Sequence, residues 1–400
     1  MASIRKRSWQ TKRGELKSGW QVDYADQHGF RRRKMFSHKK NADAFALTAQ
    51  LEVRDGTHVA ESDSLTVAEA GENWIETAEA VDEPPLEPTT LEQYRQHLDL
   101  HIVPIIGKVK LAKLNVPVIR DFADKLRAAG RSSTMVKYVI RSLGSLLADA
   151  QERGNIVRNP VHEMRSRRHQ RKNGRERRGN NLEIGVDIPT PEEIKLILQA
   201  VTGKDRVFLL TAVFSGLRAS EMRGLPWKDI NLRKGELKVT QRADRHRKIG
   251  PPKTEAAQRT IPLPPPVISA LREWRLACPK GPLDLVFPNG KGNVEFHINI
   301  IQRVFWPAQL MAGVVVKTTD TKQGSPSLAP KYAGLHSLRH FYASWCINRK
   351  TDGGLELPPK VVQYRCGHSS ITVTMDTYGH LFPRSDDTAE LAEAASSLLS

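Results

Sequence analysis

Six residues in the C-terminal half of the chain have side chains that could together break and rejoin a phosphodiester bond. They are Arg218, Lys253, His336, Arg339, His368 and Tyr378. Run without a metal ion, this reaction needs a nucleophile that stays bonded to phosphorus, cations that hold the nonbridging oxygens, and an acid for the leaving hydroxyl. The set contains all three kinds of group. It therefore predicts catalysis with no metal and no other cofactor.

Each member also has a simpler interpretation when it is taken alone. Tyr378 could be a half-buried aromatic residue, Arg218 could form a surface ion pair with Glu221, and His336 could be a hydrogen-bonded core histidine. Acidic triplets that could hold two Mg²⁺ ions, as a metal-dependent nuclease requires, are not apparent in the sequence. Order and spacing along the chain therefore have to decide between the two interpretations.

Two segments carry the arginines of the set. FSGLRASEMRGLPWKDI (214–230) contains Arg218 and, three residues later, Glu221. LHSLRHFYASW contains His336 and Arg339. Because these two are three residues apart in a predicted helix, they project from one face.

A third segment, CGHSSITVTMDTYGH, carries His368 and Tyr378. Tyr332, Tyr342 and Tyr364 are neighbours that could be mistaken for the nucleophile. Only Tyr378 stands ten positions after a Gly-His pair, so Tyr342 and Tyr364 are predicted to be core residues.

Together these segments resemble the tyrosine site-specific recombinases, the phage integrase family, which carry similar segments in the same order. The lysine of such enzymes lies in a β-hairpin turn, and PPKTEAAQRTIPL resembles that turn with Lys253 as the match. The resemblance covers about residues 64–385. Cys366 replaces a usual Leu, which is a packing change, and residues 312–333 and 349–359 are predicted to be extra loop length.

The roles that the resemblance implies agree with the chemistry of the side chains. Tyr378 would attack phosphorus and form a 3′-phosphotyrosyl bond, which keeps the bond energy for rejoining. A free tyrosine has a pKa of about 10, so cations must favour its phenolate. Arg218 and Arg339 would bind the nonbridging oxygens. The other roles would be the following: His336 helps to accept or hold the tyrosine proton, His368 donates a hydrogen bond to the transition state, and Lys253 protonates the departing 5′-hydroxyl.

The charge of the chain also predicts a polyanionic partner. The formal net charge is +18, with a sequence pI of about 9.9. Most of the excess lies in residues 1–40, with twelve Lys or Arg against three Asp or Glu, and in residues 163–181, with eight against two. Clustered cations bind a phosphate backbone by displacing counterions. On charge alone, a generally basic surface or an anionic membrane would also fit.

Cysteine usage predicts a cytoplasmic protein. Cys278, Cys346 and Cys366 are odd in number and scattered, which suits a reducing compartment better than a disulfide framework. Cys366 lies two residues before His368, but no second Cys or His pair supports a metal site. The start of the chain is basic without an apolar run, so we predict no secretory signal. No apolar stretch is long enough to span a membrane, so we also predict no membrane partner.

The predicted fold is multidomain and mostly α-helical with small β-sheets. We expect an N-terminal α+β arm-site DNA-binding module, a helical core-binding domain, a basic linker, a mixed α/β catalytic domain and a C-terminal tail. Their predicted bounds are 1–60, 64–162, 163–187, 188–385 and 386–400.

Local signals predict several elements within these domains. Residues 1–60 should form a hairpin, with a third strand before it, and then a helix over 41–54. The helical domain should contain helices over 67–79, from Thr89 or Thr90 to His101, over 116–129 and over 132–153, with Gly130 and Gly154 ending the last two. Thr190 should begin a helix with a capping box. Thr134, Lys137, Arg141 and Ser145 could face a phosphate backbone or simply solvent.

Three functions remain open at this stage. The first is an integrase that inserts and excises a prophage or other mobile element, which the basic N-terminal module favours. The second is a housekeeping recombinase that resolves chromosome dimers, and the third is a non-catalytic DNA-binding relative. For the enzyme, the resemblance implies a homotetramer assembled on double-stranded DNA with core and arm sites. It also leaves room for accessory DNA-bending or directionality proteins.

Overall fold

The computed structural model divides the chain into two compact units, Met1–Glu176 and Arg177–Ser400. Most of the predicted linker 163–187 and tail 386–400 lies outside the described residues. The structure describes residues 2–10, 14–26, 29–55, 58, 60, 63–80, 86–164, 182–319, 326–382, 392 and 395–399. Within these ranges no helix has the length and apolar composition needed to cross a membrane.

The first unit begins with an antiparallel sheet that packs against one helix. Its elements are β1 (Ser3–Gln10), β2 (Leu16–Ala25), β3 (Arg31–Phe36) and α1 (Lys39–Arg54), with the strands in the order β1-β2-β3. Val22 and Tyr24 alternate toward the helix and pack on Ala42, Ala46 and Ala49. The predicted hairpin, third strand and helix are therefore confirmed. This small core is separate from the one that follows.

The rest of the first unit is helical. Its elements are α2 (Val67–Ala80), α3 (Pro88–His97), a π-helical turn (Leu98–Ile102), α4 (Val103–Ile106), α5 (Val116–Ala128) and α6 (Ser133–Glu152). Asn115 and Ser132 cap α5 and α6 by accepting hydrogen bonds from Val118 and Met135 backbone N–H groups. Trp74, Phe122 and several Leu, Ile and Val side chains form one buried cluster.

One helix of this region differs from its prediction. It begins at Pro88, with Glu87 as its non-helical cap, rather than after Thr89 or Thr90. Proline suits the first turn because its fixed φ is already helical and its missing N–H is not needed there. The helical path also continues beyond His101 to Ile106. The π-helical turn lies just before Pro104 and widens the backbone where an α-helix would need the N–H that proline lacks.

The second unit is a larger mixed domain with one main hydrophobic core. Its helices are α7 (Pro191–Gln199), α8 (Gly203–Ser215), α9 (Ala219–Gly224), α10 (Pro265–Ala277), α11 (His297–Ile300), α12 (Trp306–Met311), α13 (His336–Ile347), α14 (Pro359–Cys366) and α15 (Ile371–Tyr378). β4 (Ile230–Asn231), β5 (Glu236–Val239) and β8 (Arg259–Pro262) form an antiparallel sheet in the order β4-β5-β8. β6 (Arg242–Ala243) pairs with β7 (Ile249–Gly250) as a short hairpin inserted between β5 and β8. The mostly α fold with small sheets is confirmed.

The capping box predicted at Thr190 is confirmed. Thr190 Oγ1 accepts a hydrogen bond from the Glu193 N–H at 3.2 Å, and Glu193 Oε2 accepts one from the Thr190 N–H at 2.9 Å. Glu193 also accepts from Lys331 Nζ at 2.6 Å and from the Tyr332 hydroxyl at 2.6 Å. The start of α7 is thereby tied to the segment that leads into α13.

Both segments predicted as extra loops have structure of their own. Within 312–333, β9 (Val315–Thr319) and β10 (Pro326–Pro330) pair as an antiparallel hairpin. In the segment 349–359, Leu355 and Leu357 donate backbone hydrogen bonds to the Trp345 and Cys346 carbonyls at 2.9 and 2.8 Å. The second segment therefore satisfies carbonyl groups at the end of α13.

Candidate active site

Contacts in the second unit link five of the six predicted residues into one network. Arg218 stands at the start of α9, His336 and Arg339 lie in the first turn of α13, His368 follows α14, and Tyr378 ends α15. Gly216 and Gly367 have positive φ values of 60° each and end α8 and α14. The chain changes direction at both glycines. Their carbonyl groups accept hydrogen bonds from the arginines, Gly216 from Arg339 and Gly367 from Arg218.

Arg218 joins two parts of the site. Its Nη1 donates to Glu221 Oε1 at 2.8 Å, and its Nη2 donates to the Gly367 carbonyl at 2.8 Å. The Arg218 side chain keeps 37% of its surface accessible, whereas the Glu221 side chain keeps 3%. The ion pair that was the simpler interpretation of Arg218 is therefore present, but Glu221 is buried, so it is not a surface pair. The Arg218 side chain still reaches solvent.

A second arginine, Arg259, holds the other side of Glu221. Its guanidinium group is fully buried and donates to the two Glu221 oxygens at 2.9 and 3.2 Å. Burial alone would raise the pKa of Glu221, but Arg259 and Arg218 outweigh it and hold that pKa at about 2. Arg259 is not among the site residues predicted from the sequence. The available signal was its position six residues after Lys253 in the same segment.

Arg339 is buried and fastens both turns. Its Nη1 donates to the Gly216 carbonyl at 2.7 Å, and its Nη2 donates to the Cys366 carbonyl. Burial is the main cause that lowers the pKa of Arg339, to about 10, so the group remains charged at neutral pH. Arg339 therefore brings a fixed positive charge to the point where the two turns meet.

His368 lies against the ring of Tyr378. The two rings are nearly parallel, at 12°, with centroids 6.0 Å apart. His368 Nδ1 lies 2.9 Å from Oγ1 of the buried Thr374, which fixes the ring. Burial, followed by Arg339 and Arg218, lowers the pKa of His368 to about 3, so the imidazole is neutral at neutral pH.

The Tyr378 hydroxyl is held by His340. Its oxygen lies 2.6 Å from His340 Nδ1, and the residue is 2% exposed. Burial raises the pKa of Tyr378 above its usual value. The His340 ring meets the His336 ring edge to face, with centroids 4.5 Å apart. The residue predicted from the sequence to accept or hold the tyrosine proton is His336, and His340 was not predicted, although a spacing of four residues places both on one helical face.

Lys253 stands apart from the other five. It is exposed, in the connection between β7 and β8, and no hydrogen bond or ion pair reaches its amine from the described residues. It does lie within the chain that joins the antiparallel strands β5 and β8, as the hairpin prediction requires. The tight turn of the inserted β6–β7 hairpin instead contains Lys248, whose N–H donates to Asp244 Oδ1 at 2.8 Å.

The neighbouring tyrosines are engaged elsewhere. Tyr332 bonds Glu193, and Tyr342 is fully buried in the core, as predicted. Tyr364 is 52% exposed rather than a core residue, and its hydroxyl accepts a hydrogen bond from the Thr260 N–H at 3.1 Å. None of these three hydroxyls has a described contact with the network around Arg339.

Family models match both units. The model described as "Phage integrase family" matches residues 189–384, and the model described as "Phage integrase, N-terminal SAM-like domain" matches residues 66–127. The two matched regions together span more than half of the chain. The chain belongs to the phage integrase family. It is therefore a tyrosine recombinase, an enzyme that cleaves and rejoins DNA strands.

This recombinase is similar to curated proteins along most of its length. It is 25% identical over 393 residues to a XerC-like tyrosine recombinase of Caldanaerobacter subterraneus subsp. tengcongensis, covering 90% of each chain. It is 24% identical to the ICEBs1 integrase of Bacillus subtilis, covering 78% of each.

Solved integrases share the fold of the recombinase. The Tn1549 transposon integrase, solved in complex with transposon right end DNA, matches with a TM-score of 0.62 at 19% identity, over 83% of this chain and all of that one. A lambda integrase tetramer bound to a Holliday junction matches with a TM-score of 0.54 at 16% identity, over 94% of both chains.

Replacing Gly216 with alanine should destabilise the catalytic unit of the recombinase. Gly216 has a positive φ, and a Cβ there would lie 2.2 Å from Tyr342 Cδ1. Left-handed strain and overpacking together predict a loss of about 2–4 kcal/mol in the free energy of unfolding, measured by denaturant titration. Gly313→Ala is the matched control, since Gly313 has a φ of 69° but nothing within 4 Å of its Cβ position. Equal losses in the two variants would contradict the steric explanation.

Proposed function

We propose that this recombinase is an integrase that inserts and excises a prophage or other mobile element, with Tyr378 as the nucleophile. The observation that carries the proposal is the convergence of Tyr378, Arg218, Arg339 and His368 in one network of contacts. Tyr378 would bond to the scissile phosphorus, and the bond from phosphorus to the 5′-oxygen would break. The product would be a 3′-phosphotyrosyl bond that a free 5′-hydroxyl can later attack.

Charge in this network suits a phosphate group. Three arginines lie in this network, Arg218, Arg259 and Arg339. The Glu221 carboxylate pairs with Arg218 and Arg259, whereas the Arg339 guanidinium group donates to backbone carbonyls. The excess cations would hold the nonbridging oxygens of a DNA phosphate and stabilise the charge that develops during attack. We therefore propose that no metal is required.

The neutral histidines and the lysine would complete the reaction. His368 has a lowered pKa, so it would act as a neutral hydrogen-bond donor to the transition state. The pKa of His336 is lowered by surrounding protein atoms and then by Arg339 and Arg218, so it is also neutral at neutral pH. Lys253 would protonate the departing 5′-oxygen. Because its side chain is exposed in the free protein, DNA binding would have to bring it to the scissile phosphate.

We propose a role in the same function for each predicted domain. Residues 1–60 would bind arm sites, 64–162 and 188–385 would grip the core site, and 163–187 would link them. Exposed cations on the N-terminal sheet, including Lys6, Arg7 and Arg31, favour an integrase over a housekeeping recombinase. We propose double-stranded DNA as the partner and a homotetramer as the active assembly, since lambda integrase has been solved as a tetramer on a Holliday junction. Accessory proteins and the cytoplasmic location stay predictions.

A nicked suicide substrate tests this function. DNA copied from the junctions that flank the gene is incubated with the full-length protein in excess EDTA, and covalent adducts are resolved on a denaturing gel. We expect an adduct whose attachment maps to Tyr378 by mass spectrometry. DNA binding without any adduct would favour a non-catalytic relative, and an adduct that forms only with added Mg²⁺ would refute the metal-free chemistry.

Deleting residues 1–60 should separate core cleavage from recombination of full sites. Adduct formation on a short core substrate should persist, because the helical domain has its own buried core. Recombination between complete attachment sites should fall strongly. The salt dependence of binding to long DNA should become shallower, by about 0.9 in log–log slope for each lost phosphate contact.

A charge variant of the full-length protein tests the same role without removing the domain. K6Q/R7Q/R31Q removes three exposed sheet cations and should reproduce part of the recombination defect. If both the deletion and the triple variant recombine full sites normally, the arm-binding role of residues 1–60 is wrong.

A further inference from the structure

The hydroxyl of Tyr378 has one hydrogen-bond partner among the described residues, and it is His340. The distance of 2.6 Å between the Tyr378 oxygen and His340 Nδ1 is that of a strong hydrogen bond. No described hydrogen bond joins this hydroxyl to His336, Arg218 or Arg339. The atom that must lose a proton in the proposed reaction therefore contacts a residue that has no role in the scheme above.

The two pKa shifts leave both partners of this hydrogen bond neutral at neutral pH. Burial raises the pKa of Tyr378, so its oxygen carries a proton at neutral pH. Burial, followed by His336 and Arg339, lowers the pKa of His340 to about 4, so its imidazole is neutral. A neutral ring that accepts through Nδ1 must carry its own proton on Nε2. In that tautomer the Tyr378 O–H donates to His340 Nδ1, and this is the arrangement used in the proposal that follows.

We propose that His340 is a further catalytic residue, which orients the Tyr378 hydroxyl and accepts its proton during DNA cleavage. The inference rests on the proposed function, in which Tyr378 is the nucleophile. The proton moves from the Tyr378 oxygen to His340 Nδ1 as the bond from that oxygen to phosphorus forms. The bond to the 5′-oxygen breaks, and the leaving oxygen takes a separate proton from Lys253. On rejoining, His340 returns its proton to Tyr378.

The groups around His340 make its basicity depend on bound phosphate. His336 and Tyr378 contact its ring, Arg339 disfavours its protonation, and Asp187 favours it. A DNA phosphate at the arginines would offset their positive charge. His340 would then accept a proton more readily when substrate is present than when the site is empty. Proton transfer is thereby coupled to occupation of the site.

His336 is less suited to this step. It is the first residue of α13 and is exposed, whereas His340 lies one turn deeper and reaches Tyr378. The edge-to-face contact between the two rings lets His336 support the imidazole of His340 without touching the hydroxyl. His336 remains free to contact a bound phosphate.

Two substitutions of His340 test the proposal on the nicked suicide substrate. His340→Leu removes the acceptor, and the single-turnover rate of adduct formation should fall by about 10²–10⁴-fold, the usual contribution of general base catalysis. DNA affinity should stay within about twofold. His340→Gln keeps a hydrogen-bond acceptor but cannot take up the proton, so its rate should also fall, and it covers the case in which leucine prevents folding. His380→Gln is the matched control, since His380 is on the same segment as Tyr378 and bonds the Leu182 carbonyl.

A more acidic phenol separates proton acceptance from packing. A fluorinated tyrosine placed at position 378 by amber suppression loses its proton more easily, so it needs a base less. The rate deficit of His340→Leu and His340→Gln should therefore shrink with fluorotyrosine. An undiminished deficit would mean that His340 only packs against the nucleophile, and a wild-type rate in both variants would remove it from the site. Either result overturns the proposal.

A failure of this inference can be distinguished from a failure of the proposed function. The test is adduct formation by the wild-type protein, with Tyr378→Phe as the negative control. If the wild type forms no adduct at Tyr378, the proposed function fails and the inference fails with it. If that adduct forms and the His340 variants behave like the wild type, only the role of His340 is refuted.

Discussion

Replacing Tyr378 with phenylalanine is expected to abolish covalent attachment to DNA while DNA affinity stays within about twofold of the wild type. The substitution removes one oxygen atom, and that atom would form the bond to phosphorus. The three neighbouring tyrosines among the described residues are placed elsewhere: Tyr332 bonds Glu193, Tyr342 is buried in the core, and Tyr364 bonds the β8 backbone. DNA affinity should hardly change, because one buried hydroxyl contributes little to a large charged interface with DNA.

Folding of this variant should change little. Phenylalanine keeps the ring against His368, and the lost contact is the single hydrogen bond to His340. A hydrogen bond of this kind contributes about 0.5–1.5 kcal/mol, so the melting temperature should fall by only a few degrees. The measurements are adduct yield on a denaturing gel, binding by fluorescence anisotropy and thermal unfolding. An adduct retained in Tyr378→Phe would show that another residue is the nucleophile.

The second large effect is expected for Lys253→Ala. If Lys253 protonates the leaving 5′-oxygen, its loss should slow cleavage by about 10²–10⁴-fold on ordinary DNA. A substrate with sulfur at the 5′-bridging position leaves without needing a proton, so cleavage of that substrate should be nearly normal. The ratio of the two rates therefore reports proton donation separately from binding. Both rates are measured in single turnover.

Lys248→Ala is the matched comparison for this substitution. Lys248 lies five residues earlier, in the turn of the β6–β7 hairpin, and could also reach bound DNA. We expect the cleavage rate of Lys248→Ala, relative to the wild type, to be the same on the oxygen and sulfur substrates. If Lys248→Ala shows the sulfur rescue and Lys253→Ala does not, the acid is Lys248. An equal defect of Lys253→Ala on both substrates would remove its role as the acid.

The predicted site residues that the structure links by contacts lie in short local motifs. Spacing within a single helix places His336 and Arg339 in the first turn of α13. Arg218 also forms the ion pair with Glu221 that was its simpler interpretation. Arg259 and His340 escaped prediction because their contacts are not local. Arg259 meets Glu221, and His340 meets Tyr378, each across 38 residues of chain. The local sequence pattern around Arg259 or His340 cannot predict a contact with a residue so distant in the chain.

Differences in the fold have similarly specific causes. The helix that starts at Pro88 continues to Ile106 because a π-helical turn accommodates Pro104, whereas a proline usually predicts a helix end. The segment 312–333 is extra length relative to the family pattern around the helix that carries His336 and Arg339, and it is therefore predicted as loop. Its strands β9 and β10 pair with each other, an arrangement that depends on the partner strand more than on intrinsic propensity.

The two buried arginines of the site, Arg259 and Arg339, have a consequence for turnover. Glu221 pairs with Arg259, while Arg339 has backbone carbonyls as its partners. A buried cation without a full counter-charge lowers the stability of the empty protein, and a bound DNA phosphate would restore the charge balance. A ligand that binds only the folded state stabilises it by RT ln(1 + [L]/Kd), where [L] is the free ligand concentration. The recombined product presents the same phosphates as the starting DNA, so the enzyme gains as much by staying on the product as by binding a new site. Such an enzyme would act nearly stoichiometrically, with roughly one recombination event for each assembled complex, and release would limit the rate more than chemistry.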